Sequence, residues 1–191
     1  MYGLVNRGIA QLIRAEHGDD VWEEILDVAG IEDDAFLAME PYDDRVTYDL
    51  VSAASQVLGA SAEDLLKAFG EFWILFTAQE GYGELLQLGG ADVRTFLANL
   101  NSLHAQVKVT HPDLEPPSFS VEEAGQDRLR LHYSSKRPGL APMILGLIDG
   151  LARLKDEYVD IAHLPAESRE DEHGFHECFE VVLQESRSVS R

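Results

Sequence analysis

The chain has a single cysteine, Cys178, among its 191 residues. That excludes a disulfide within the chain and any Cys-x-x-Cys metal site. Basic residues are also scarce: 15 Lys and Arg stand against 35 Asp and Glu, a formal net charge of −20. A nucleic-acid partner is not expected, because phosphates must be neutralised by Lys and Arg. An anionic membrane surface would repel the same charge. No stretch approaches the ~18 apolar residues of a membrane span. The opening, MYGLVNRGIAQLIRAEHGDD, lacks the basic region and apolar run of a signal peptide. No membrane insertion is expected, and a soluble, cytoplasmic protein is.

What is present is a hydrophobic fraction of 45%, enough for a sizeable core and a cofactor within one domain. The first two-thirds read as helices. Val5, Ile9, Leu12 and Ile13 have helical spacing, and a second stripe of Trp22, Ile25 and Leu26 follows Gly18-Asp19-Asp20. After a turn at Pro41 to Asp44, a third helix points Tyr48, Val51, Ala54, Val57 and Leu58 inward. Ser61 with Asp64 resembles a capping box, opening a fourth helix with Leu65, Leu66, Phe69, Phe72, Trp73 and Phe76 on its apolar positions. Gly81, Gly83, Gly89 and Gly90 punctuate a short helix, and a long one runs from about Asp92 to about Thr110. Beyond Pro116-Pro117 the period becomes two. Phe119 to Glu123 and Arg128 to Ser134 read as a hairpin around Gly125-Gln126-Asp127. A helix is expected over Leu140 to Leu154, and strands around Tyr158 to His163 and Phe175 to Leu183. The fold class is α+β: a helical N-terminal part, then a part with a mainly antiparallel sheet and a helix.

Two features carry chemistry. On the helix from Asp92, Leu97 and Leu100 mark the apolar face, and His104 lies on it. An imidazole there must satisfy two ring nitrogens. One reading is a core histidine bonded to a backbone carbonyl. The other is an axial ligand to a metal centre. Zinc would need three or four protein ligands, whereas haem needs only one imidazole. The second feature is the row Leu129, Leu131, Tyr133, Ser135 and Arg137, all on one side of an extended stretch. It passes from apolar to hydrogen-bonding and could hold carboxylates, with Arg137 making the charge-assisted bond. It could equally be a solvated strand end.

Taken together, His104 and Tyr133-Ser134-Ser135-Lys136-Arg137 resemble the H-NOX (haem-nitric oxide/oxygen-binding) family. Its signature is an axial histidine followed by Tyr-x-Ser-x-Arg. The blocks MYGLVN, VWEEI, YDD, TYDLVSAAS, EGYGELL and GLAPMILGLI are similar to it as well. The resemblance covers residues 1 to about 183 and is strongest to cyanobacterial-type members and the haem domain of soluble guanylate cyclase. It implies one haem-binding domain over 1–183, with a helical distal subdomain (1–60), a haem-holding subdomain (61–183) and a polar tail (184–191). It implies haem b between the two parts. His104 would hold the iron, and Tyr133, Ser135 and Arg137 the propionates. Asp44 would pair with Arg137, Pro117 would pack on the haem, and Val5 and Ile9 would lie near it.

The resemblance also bears on the ligand. Members that bind oxygen stably use a distal tyrosine as donor. The matching segment here is Pro142-Met143-Ile144, and neither Pro142 nor Met143 can donate. Nitric oxide and carbon monoxide are therefore expected as ligands, and oxygen is expected to be excluded. Met143 and Trp73 would form the distal wall, and Leu147 would be a further haem-binding residue; the indole N–H of Trp73 is either a weak donor or simply part of a packing side chain. Binding of nitric oxide would break the bond to His104 and free its helix to move. A catalytic output is expected on another chain, such as a histidine kinase or nucleotide cyclase, or elsewhere in a longer parent protein. A haem enzyme (peroxidase or oxygenase) or a haem-storage protein is the alternative. A peroxidase would want a distal acid–base pair, and none is placed for it. His173, His176 and Cys178 could form a surface metal cluster, although solvated side chains explain them equally well.

Overall fold

The computed structural model describes residues 1–112 and 114–184. The expected tail beyond residue 184 lies outside them. Helices α1 (Gly3–His17), α2 (Asp19–Ala29) and α3 (Asp44–Leu58) come first. Their limits follow from local chemistry. Gly30 and Gly59 adopt left-handed conformations just past α2 and α3, where a Cβ would be strained. Helix α4 (Ala62–Thr77) starts at Ser61, whose hydroxyl accepts from the Asp64 backbone N–H and donates to its carboxylate. The Ser61 cap is therefore present, but Asp64 answers through the Ser61 hydroxyl rather than its backbone N–H, so the full capping box is not made.

The glycine-punctuated stretch is not a simple helix. Residues Ala78–Tyr82 form a π-helical turn kinked at Gly81 (φ +97°), followed by the short α5 (Gly83–Leu88). Helix α6 (Val93–Thr110) is capped by the Asp92 carboxylate, which accepts from Thr95 N–H at 2.7 Å. It ends at His111-Pro112, since proline cannot continue a helix.

Strands β1 (Ser118–Glu123) and β2 (Arg128–Ser135) form the expected hairpin. Helix α7 (Ala141–Leu154) and strand β3 (Tyr158–His163) follow. Strands β4 (Arg169–Asp171) and β5 (Gly174–Gln184) complete a five-stranded antiparallel sheet of order β1-β2-β5-β3, with β4 on β5. The class is α+β as the sequence indicates. Strand β4, with three exposed residues, carries no alternation for sequence reasoning to read.

Two hydrophobic clusters form. One unites α1 to α4 through Ile9, Ile13, Trp22, Ile25, Leu50 and Phe69. The other joins α6, α7 and the sheet through Phe96, Leu97, Leu129, Leu131, Ile148 and Phe179. In α3 the fully buried stripe is Thr47, Leu50, Ala53 and Ala54. Tyr48 and Val51, expected inward, are half-buried because they line a cavity. Helices α4 and α7 cross at backbone contact. A Cβ on Gly70 would overlap the Met143 carbonyl, and one on Gly146 the Lys67 carbonyl. No helix among the described residues is long and apolar enough to cross a membrane.

Candidate functional site

A cavity of about 560 Å³ opens where the two clusters meet. That is within the size range of pockets that take small molecules and cofactors. Its wall is mostly apolar, and all eleven residues singled out from the sequence line it: Val5, Ile9, Asp44, Trp73, His104, Pro117, Tyr133, Ser135, Arg137, Met143 and Leu147. Val5, Ile9, Trp73 and Met143 belong to the helical cluster. Tyr133 and Leu147 belong to the sheet cluster.

Helix α6 presents His104 to the cavity, and its apolar neighbours Leu97 and Leu103 anchor that helix in the core. The ring stands 5.8 Å from Phe119, which in turn stands 5.4 Å from Tyr133. Burial holds the imidazole pKa below its ordinary value, against a smaller opposing pull from the Pro117 carbonyl. The imidazole is therefore neutral. Its Nδ1 is buried without a partner in hydrogen-bonding geometry. A buried polar atom left so is unusual and costly. The Pro117 carbonyl acts on the ring without completing a hydrogen bond of full geometry to Nδ1.

The polar row is built by β2. Leu129, Leu131, Tyr133 and Ser135 are buried and alternate with more exposed neighbours, as one face of a strand requires. Arg137 lies beyond the strand end, not on it as its spacing implies. Its N–H donates to Ser135 Oγ at 3.1 Å, which keeps it beside the row. Its Nε donates to Asp44 Oδ2 at 2.9 Å and its Nη1 to the Glu115 carbonyl at 3.0 Å. The guanidinium is thus held across from α3 with Nη2 uncommitted among the described residues. Burial raises the Asp44 carboxyl, but hydrogen bonds from the Met1 α-amino group and Arg137 outweigh it and leave the pKa below 3.8. Burial pushes the Tyr133 phenol up, so it remains a donor.

Sequence reasoning missed several lining residues. Tyr2, Tyr82 and Phe119 all face the cavity. Phe119 pairs with Tyr133 across the hairpin, so period-two alternation could have placed it. Tyr82 sits on the π-turn, where helical periodicity fails; its Oη donates to Met39 Sδ at 3.5 Å. Trp73 packs edge-on to Phe69 and against Phe76, and no hydrogen bond from its indole N–H to another described residue is formed. Cys178 is buried in β5, and His176 meets the Ser134 hydroxyl through Nδ1 at 2.7 Å. Among the described residues, no group of three His, Cys, Asp or Glu side chains is placed to hold a metal ion.

A family model described as Haem-NO-binding matches residues 2–163. Among curated proteins, the chain is 34% identical over 160 residues to soluble guanylate cyclase gcy-35 of Caenorhabditis elegans, covering 80% of this chain and 23% of that protein. It thus spans about a quarter of the length of the curated relatives it matches. Among solved structures, a triple mutant of an H-NOX protein from S. oneidensis in the Fe(II) ligation state superposes with a TM-score of 0.85, over 100% of both chains at 21% identity. An H-NOX protein from S. oneidensis in the Fe(II)NO ligation state gives 0.84 over 97% of this chain and 100% of that one, at 21% identity. At these identities the superpositions establish the fold.

Proposed function

The chain belongs to the haem-NO-binding family, and from that membership we propose that it is a haem-based gas sensor with His104 as the axial ligand. One observation carries the reading. A single apolar cavity brings together a neutral imidazole whose buried Nδ1 has no partner and a row of carboxylate-binding donors. The donor set fits haem b: one imidazole for the iron, and hydroxyl and guanidinium groups for two propionates. When bound, the group would supply an iron centre that can take up a diatomic gas, with His104 as the residue that would hold it.

The chain's own residues have separate tasks. His104 offers a neutral ring lone pair. Tyr133, Ser135 and Arg137 would hold the carboxylates, with Asp44 fixing the guanidinium from α3. Pro117 would pack on the haem, with Val5, Ile9 and Leu147 near it. Trp73 and Met143 would form the distal wall. Pro142 and Met143 offer no donor, the Tyr82 phenol is engaged by Met39, and the Trp73 indole N–H remains as a weak donor that tunes affinity without replacing a tyrosine. Oxygen depends on such a donor more than nitric oxide or carbon monoxide does, so the pocket favours the latter two. Were the hold on His104 to change, α6, which carries it, would be the element free to shift against the sheet. This is a two-state element biased by ligand. The output is a separate cyclase or histidine kinase activity, and the chain itself is the sensor, in a cytoplasmic setting.

Haem titration tests the assignment. The wild-type chain should take up one haem per chain with an intense visible band. The His104→Gly variant should lose the imidazole-ligated spectrum and regain it on adding free imidazole. A His104→Gly protein with an unchanged spectrum and no added imidazole would refute the ligand assignment.

A further inference from the structure

Tyr48 lines the cavity and has no role in this scheme. It lies one helical turn after Asp44 on α3, so the two side chains leave the same face of that helix. Asp44 accepts from Arg137 Nε at 2.9 Å, and the Tyr48 hydroxyl donates to the Pro138 carbonyl at 2.9 Å. Arg137 and Pro138 are consecutive. Helix α3 therefore holds one short turn twice, at a side chain and at the next backbone carbonyl.

The other ties on that turn come from elsewhere. Arg137 N–H bonds Ser135 at the end of β2, Arg137 Nη1 bonds the Glu115 carbonyl, and Lys136 pairs with Glu115. Those hold the turn to the sheet side. Asp44 and Tyr48 hold it to the helical side. Backbone restriction before proline narrows the conformations of Arg137, so holding the carbonyl of the next residue, Pro138, limits how the turn that carries the guanidinium can swing. Burial and the Asp44 carboxylate push the Tyr48 phenol above its ordinary value, so it stays a donor across the working pH range.

We propose that Tyr48 is a positioning residue for Arg137: its hydrogen bond to the Pro138 carbonyl sets the direction in which the guanidinium meets the haem carboxylates. The inference rests on the haem-sensor reading. Its single act is to hold the turn; the hydroxyl is committed to the backbone. Loss of one such bond shifts an equilibrium by about fivefold.

The test compares wild-type, Tyr48→Phe, Asp44→Asn and double-variant proteins loaded with haem. The first readout is the rate of haem loss to an excess of an apo-globin acceptor. The second is the propionate bending band in the resonance Raman spectrum. Tyr48→Phe keeps the ring and the packing, so it should fold. It is expected to speed haem loss about fivefold and shift the propionate band. Its effect should shrink in the Asp44→Asn background, where the guanidinium is already loosened. A purely structural tyrosine would lower thermal stability and leave the band and the haem-loss rate unchanged, which would overturn the proposal. Equal, additive effects in both backgrounds would overturn it too. Failure of the wild-type protein to take up haem would sink the sensor reading itself and the proposal with it, a result distinct from an unaltered band in a haem-loaded variant.

Discussion

Arg137 ties three parts of the fold together at one residue. Its partners come from α3, from the connector after α6 and from the end of β2. Arg137→Ala removes a charge-assisted contact to each carboxylate it meets, and haem affinity should fall about ten- to hundredfold, measured by competition with an apo-globin. Asp44 adds a pH dependence. Its carboxyl titrates below 3.8 in the folded chain, so the folded state binds fewer protons there than the unfolded state does. The stabilisation is fully present above about pH 4 and is lost as pH falls through the depressed value. Asp44→Asn should therefore flatten the acid limb of a denaturation-versus-pH curve below pH 4 and leave the neutral region nearly parallel to wild type. His104 and the Tyr133 row were legible because their types contradict their setting: an imidazole on an apolar face, and hydroxyls at the end of a buried alternation. Tyr48 and Tyr82 were not legible as site residues. A tyrosine on a half-buried helix face or at a kink looks like ordinary packing until the chain is folded.

At the scale of elements, the crossing of α4 and α7 decides how the two clusters approach each other. Gly70, Gly146 and Gly150 let the backbones touch, with a Cβ on Gly150 only 2.7 Å from the Glu71 carbonyl. Gly146→Ala should cost about 1–3 kcal/mol, because the clash is with backbone that cannot swing aside. Urea denaturation of the apo-protein would show it as a lower midpoint with an unchanged slope. The long elements were readable because period and caps agree: Ser61 and Asp92 both cap the helices they precede. The glycine contact was not, since a glycine inside a helix gives no sign of which neighbour it admits. The π-turn at Ala78–Tyr82 was also hidden, because an i+5 bond pattern leaves no repeat in so short a stretch.

For the whole molecule, the cavity sits between a helical cluster carrying Val5, Trp73 and Met143 and a sheet cluster carrying Tyr133 and Leu147. On the proposed reading, a ligand that changed how His104 is held would act through α6, which is anchored in the sheet cluster. The measurement that tests this account most directly is the absorption spectrum of the haem-loaded ferrous protein, taken without gas, with nitric oxide, and in air. The account predicts an imidazole-bound spectrum without gas, and with nitric oxide the spectrum of haem bearing nitric oxide and no imidazole. In air it predicts no stable oxygen complex. A nitric-oxide spectrum that keeps the imidazole signature, or a stable oxygen complex in air, would contradict it.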